Sequence, residues 1–234
     1  MKPIGYVLAA AALVWLVVPG SLRADDDMNK KLEEAIVILQ ESMKTPDNSV
    51  PGGLVQDAHG IAVIPGVVKA GLVVGGRRGE GVLVIRGDDG GWTRPLYMSL
   101  TAGSIGWQVG VSSTDVILVF RTERSVAGLL DGEFSLGADA SVAAGPVGRS
   151  ATAGTNVELK AEVYSYSRSR GLFAGVSFEG AKLSINEKSS RKYYGADDLS
   201  ARGLLDSADI ETPDAAQRFL EQLAAMEKAA SSTE

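Results

Sequence analysis

The sequence predicts an α+β fold: a mainly antiparallel, strongly curved β-sheet or closed barrel, with N- and C-terminal helices packed on it. Three observations carry this. Residues 60–86, GIAVIPGVVKAGLVVGGRRGEGVLVIR, hold Val- and Ile-rich runs at 61–64, 71–74 and 81–85, separated by short Gly-rich breaks. β-Branched side chains pack well on a pleated surface, and glycine supplies the backbone conformations of tight turns. The 234-residue chain holds 28 glycines and only 6% aromatics, which suits short strands and turns rather than a helix bundle. Apolar residues at helical spacing, by contrast, are clearest near the two ends.

Residues 1–24 read as a signal peptide. Lys2 gives a positive start, residues 4–18 form an apolar run, Pro19-Gly20 breaks it, and Leu22-Arg23-Ala24 resembles a small-residue cleavage site. The run is shorter than the ~20 residues a membrane-spanning helix needs. The remainder, 25–234, reads as one domain with a core of about 28–205 and a C-terminal helix at 213–230. Residues 25–44 form the first helix: Met28, Leu32, Ala35, Ile36, Leu39 and Met43 make one apolar stripe. Thr45-Pro46-Asp47 stops it.

The three runs of 60–86 are expected as three consecutive short strands, with Gly75-Gly76-Arg77-Arg78-Gly79-Glu80-Gly81 as a turn. Asp88-Asp89-Gly90-Gly91 is a hairpin turn leading to strand pattern over 92–100 and 101–112. The unbroken run Val116-Ile117-Leu118-Val119-Phe120 marks a strand buried on both faces. Thr122 is placed to N-cap a short helix ending at Leu130. Residues 134–154 are mostly Gly, Ala, Ser and Val, which implies backbone packed closely against another element. Strand pattern resumes at 161–166. Leu172, Ala174, Val176 and Phe178 then alternate, Glu179-Gly180 turns, and Ala181, Leu183 and Ile185 alternate again, as in a hairpin with one buried face. Residues 196–205 read as a short helix. Thr212-Pro213 opens the last helix, whose stripe is Phe219, Leu220, Leu223 and Met226.

Composition narrows the chemistry. There is no cysteine and one histidine, which excludes disulfides, thiol catalysis and nearly all zinc chemistry. His59 has no Gly-x-Ser-x-Gly elbow to serve, so it reads as a turn-stabilising residue. The glycines of 75–81 lack the Lys-Ser/Thr end of a phosphate loop, and strand rather than helix follows them. The acidic residues of 25–27 and Asp88-Asp89 lack the spaced ligands of a calcium loop. No enzymatic activity, cofactor or metal is expected. Without residues 1–24 the chain carries 21 basic against 29 acidic residues, net −8, which argues against nucleic-acid partners.

The charge is unevenly placed. Residues 168–192 hold Arg168, Arg170, Lys182, Lys188, Arg191 and Lys192 against Glu179 and Glu187, whereas 197–234 are net −6. This basic segment, with Arg77 and Arg78, is the candidate surface for anionic lipid headgroups, and Tyr193-Tyr194 are the neighbouring interfacial aromatics. The first helix carries six acidic and three basic residues over 25–44, so its stripe is assigned to covering the sheet.

Several ordered motifs resemble the SYLF domain family. They are Gly60-Ile61-Ala62-Val63-Ile64-Pro65, Lys69-Ala70-Gly71, Val74-Gly75-Gly76-Arg77, Gly79-x-Gly81-Val82-Leu83, Trp92-Thr93-x-Pro95 and Gly106-x-Gln108-x-Gly110. Ala144-Gly145-Pro146-x-Gly148-Arg149, Tyr164-Ser165-x-Ser167, Gly171-Leu172-Phe173-Ala174-Gly175-Val176 and Tyr193-Tyr194-Gly195 continue the series, which spans about 28–205. The resemblance implies a lipid-binding module. Eukaryotic relatives bind phosphoinositides and fungal ones also bind actin filaments, partly through a basic N-terminal helix where this chain has an acidic one. The expectation is a non-catalytic lipid- or membrane-surface-binding protein of the bacterial cell envelope, exported to the periplasm and peripheral to a membrane. The alternative is a structural or protein-interaction module of the periplasm or outer membrane, with envelope proteins as partners.

Overall fold

The computed structural model describes residues 21–44, 50–71, 74–105, 110–147, 160–169 and 172–231. The expected signal segment up to residue 20, Arg149 and Arg170 lie outside these residues. Helix α1 (Ser21–Lys44) opens four residues ahead of the expected start at Asp25 and buries Met28, Leu32, Ala35, Ile38 and Leu39. A one-turn helix, α2 (Gly52–Gln56), precedes the sheet.

The stretch that reads as three strands is two. Strands β1 (Gly60–Gly71) and β2 (Val74–Ile85) pair antiparallel from Gly60 opposite Ile85 to Gly71 opposite Gly75. The run at 71–74 therefore spans the tip of one long hairpin. Gly75 to Gly81 is not a turn; it lies within β2. Gly79 and Gly81 answer to close approach instead: a Cβ on Gly81 would sit 2.2 Å from the Val63 carbonyl oxygen, and one on Gly79 2.7 Å from the Val67 side chain. That approach is created by a β-bulge in β1, where Val63 to Val68 spans five steps against four on β2. Pro65-Gly66 lies in the bulge, and Gly66 has φ +58°, the left-handed region that only glycine enters freely.

The hairpin continues into β3 (Leu96–Ile105) and β4 (Gly110–Phe120). Thr122 caps α3 (Glu123–Leu130) by accepting the Ser125 N–H at 3.2 Å, as the sequence implies. The small-residue region contributes β5 (Phe134–Ser135) and β6 (Val142–Ala144), followed by β7 (Val163–Ser169), β8 (Leu172–Gly175) and β9 (Lys182–Ile185). The nine strands among the described residues run β5-β9-β3-β2-β1-β4-β7-β6, with β8 on β7. Every pairing is antiparallel except β6–β7. The sheet curls into a half-barrel whose end strands β5 and β6 do not pair, although a Leu136–Ala140 bridge joins the segment between them.

Residues 172–185 do not form the expected hairpin. The turn at Glu179-Gly180 is present, but β8 returns along β7 whereas β9 pairs with β3 and β5. Phe173, not Leu172, is the buried residue of β8.

Three helices close the chain: α4 (Glu187–Tyr194), α5 (Ala201–Asp206) and α6 (Asp214–Ser231). The helix expected at 196–205 begins only at Ala201, capped by Ser200, while α4 occupies the basic stretch that ends in Tyr193-Tyr194, where no helix is expected. α6 buries Phe219, Leu223 and Met226 and packs beside α1, where Arg218 pairs with Glu33 and Gln40 bonds Gln222.

The sheet separates two cores. The outer face, under α1, α4, α5 and α6, carries Ile61, Val63, Val82, Val84, Ile117, Val119, Tyr164 and Tyr166. The concave face encloses Ala62, Ile64, Leu83, Met98, Leu100, Val116, Leu118 and Phe120, plugged at one end by Val126 and Leu129 of α3. Residues 116–120 alternate between these cores, which explains their unbroken apolar run.

Candidate functional site

The bulge in β1 decides which face each residue of the upper sheet meets. Before it, Ala62 and Ile64 point into the concave core; after it, Val67 does. The extra residue thus switches the alternation, so Val68 faces outward and Lys69 inward. The bulge is held by Asp115, whose Oδ1 accepts the Gly66 N–H at 2.9 Å while its Oδ2 pairs with Arg168 at 2.7 Å. Arg168 is only 19% exposed and also lies near the Phe173 ring. Its cationic head is committed to the fold.

Arg78 and Lys182 fall in a different setting. Cross-strand register aligns Lys182, Thr101, Arg78 and Val68 in one row over β9, β3, β2 and β1. Residues directly opposite share a face, and this row faces outward, beyond the helical cover. The Arg78 side chain is 74% exposed, that of Lys182 is 55% exposed and Val68 is 44% exposed. Each cation has a surface carboxylate neighbour: Glu80 at 3.5 Å from Arg78 and Glu133 at 2.9 Å from Lys182.

Helix α4 stands on the same face and the same side of the sheet. Asn186 N–H donates to the Tyr97 carbonyl, and the buried Ser190 hydroxyl accepts the Tyr97 N–H, both at 2.8 Å. Lys188 and Lys192 are exposed one turn apart, and Arg191 pairs with Glu187 at 3.6 Å. Tyr193 and Tyr194, expected as interfacial aromatics, are instead core residues. Their hydroxyls donate to Asn29 and to the Pro95 carbonyl, and burial pushes the Tyr194 phenol well above its usual range. Arg78 and Lys182 thus share one outward row, and α4, which carries Lys188, Arg191 and Lys192, is anchored on the same face at Tyr97, four residues along β3. Arg168 stands apart on β7, and Arg77 points into the concave side, over the Phe178 ring at 5.3 Å.

Two further arginines, unremarked in the sequence, are structural. Arg86 stacks on Trp92 at 3.8 Å, donates to the carbonyls of Val55, Gln56 and Ala58, and pairs with Glu227 at 2.5 Å. It ties α2, β2 and α6 together. Arg94 donates to the carbonyls of Leu204 and Ile210 and so fixes α5.

Among the described residues, catalytic groups do not converge. His59 is exposed at a bend. An open cavity of about 280 Å³ is lined by Arg124, Asp131, Glu133, Phe134 and Asp139. Its charged groups are engaged: Arg124 with Glu162, Asp131 with Arg202, Glu133 with Lys182. Burial pushes the Glu162 carboxyl up, but Arg124, the Ser141 N–H and Thr122 outweigh it and hold the carboxyl below its usual range. Among the described residues no group of His, Asp or Glu could hold a metal ion, and no helix is long and apolar enough to cross a membrane.

Comparison with known proteins fits this picture. The model of the Ysc84 family, described as Las17-binding protein actin regulator, matches residues 101–226. The chain is 32% identical over 207 residues to SH3 domain-containing YSC84-like protein 1 of Xenopus laevis, covering 88% of this chain and 61% of that protein. It is 34% identical over 206 residues to Protein YSC84 of Saccharomyces cerevisiae, covering 87% of this chain and 43% of the relative. LAS seventeen-binding protein 3 of the same yeast is 35% identical over 85% of this chain and 43% of its own length. The chain thus spans about half the length of these relatives, of which LAS seventeen-binding protein 3 is named as a binding protein. On the family match and these identities, the chain belongs to the Ysc84 family, the family of the SYLF domain.

Proposed function

We propose that this chain is a non-catalytic binding protein whose outer sheet face meets anionic lipid headgroups, after export to the periplasm, at a membrane surface of the bacterial cell envelope. The observation that carries this reading is the exposed row of Arg78 and Lys182, flanked by α4 on the same face. Exposed ion pairs contribute only about 0–1 kcal/mol. Headgroup phosphates can therefore replace Glu80 and Glu133 at small cost, whereas the half-buried Arg168–Asp115 pair resists such exchange. Polybasic surfaces gain about 1 kcal/mol per cation near an anionic leaflet, and the gain falls with salt. The signal-like pattern of 1–24 supports export.

Co-sedimentation with phosphatidylglycerol–phosphatidylcholine vesicles tests this. Binding is expected at low salt and reduced binding at physiological salt, with a several-fold loss in the Arg78→Gln/Lys182→Gln protein. No binding at either salt, or undiminished binding by the double variant, overturns it. A second reading, a protein-interaction module of the envelope, is favoured by relatives named as Las17-binding. Capture of a defined envelope protein in detergent, without vesicle binding, would select it.

A further inference from the structure

We infer that Lys69 and Arg77, on the concave face at the end of the half-barrel opposite α3, form a binding site for a phosphate-type dianion. The two residues lie directly opposite each other on β1 and β2. Their Cβ atoms are therefore about 5 Å apart on one face, an arrangement in which like charges repel. Both side chains are half-buried, which weakens solvent screening. No carboxylate is ion-paired with either among the described residues. The acid nearest in sequence to Phe178, Glu179, packs beside Gly137 instead. Arg77 is held over the Phe178 ring, which orients its guanidinium. Ser112, directly opposite Lys69 on β4, adds a hydroxyl to the same cross-strand row.

A guanidinium, an ammonium and a hydroxyl on one rim match the oxygens of a phosphate, and two positive charges match a dianion better than a carboxylate. The β1 bulge creates this pair, because only its parity switch turns Lys69 inward to meet Arg77. The site is separate from the outer-face surface: either can fail while the other stands.

Thermal unfolding in inorganic phosphate, against sodium chloride at equal ionic strength, tests the site. Phosphate is expected to raise the wild-type midpoint by about 2 °C or more. Lys69→Gln and Arg77→Gln each lose that rise, and Lys228→Gln on α6 keeps it. No rise in the wild type, or an equal rise in both variants, overturns the inference. Should the variants misfold, amide chemical shifts of the wild type decide: phosphate-induced changes at Lys69, Arg77, Ser112 and Phe178 support the site, and changes confined elsewhere refute it. Vesicles of phosphatidic acid in phosphatidylcholine separate the sources. If they displace phosphate from the wild type, the ligand is a lipid headgroup; if phosphate stays bound, it is a soluble phosphate.

Discussion

The lower and upper halves of strand β4 differ sharply, although one continuous ladder holds both. Residues 116–120 are all buried, sealed between the helices outside and the concave core within. Residues 112–115 are exposed or half-exposed; Thr114 still faces the buried Val67, but the rows beyond it on β1 to β3 are Val68, Lys69, Arg78, Arg77, Thr101 and Ala102, with Val68 exposed. Backbone pairing is the same in both halves; apolar burial is not. The lower half supplies stability through area removed from water. The upper half keeps its strands by continuity with the lower one, which leaves its side chains free to carry charge. This separation places the candidate binding residues where substitution costs little fold stability.

Breaking the lower half has the largest expected effect. Leu118→Ala removes a fully buried side chain from the concave core and is expected to cost about 2–5 kcal/mol, read as a lowered urea midpoint. A smaller but still clear loss is expected where the halves meet. Gly81→Ala drives a methyl into the Val63 carbonyl and the bulge backbone, at about 1–3 kcal/mol. Because that strain falls on the bulge, amide shifts at Gly66 and Asp115 should move with it; an unperturbed bulge would show that the close approach at Gly81 is dispensable. The smallest effect belongs to the upper half. Val68→Ser is expected within about 0.5 kcal/mol of wild type, and a loss comparable to that of Leu118→Ala would abolish the distinction between the two regions.

Local patterns were legible in the sequence wherever neighbours in the chain set the structure. The Thr122 cap, the turn at 88–91, the stripes of α1 and α6 and the doubly buried run of 116–120 all follow from spacing within a few residues. Helix α4 had a readable signal that charge obscured: Asn186 accepts the Ser189 N–H at its start and Gly195 closes it. The partners of β8 and β9 had none, because pairing with β7 and β3 depends on chain segments far away in sequence. The candidate basic residues were legible as types, but not as a surface. Arg168 looks like its neighbours in the sequence and differs only because Asp115, 53 residues earlier, claims it.

By itself, the sequence determined the α+β class, the helices at both ends, the mostly antiparallel sheet and the family, since composition, periodicity and ordered motifs are properties of the chain. Only the tertiary structure decided how the glycines of 75–81 are used and which way Lys69 and Arg77 face. A strand's alternation can be counted from its residues, but one extra residue inverts the count. That residue lies in a bulge fixed by the Gly66 backbone, Asp115 and Arg168, which the chain brings together only when folded.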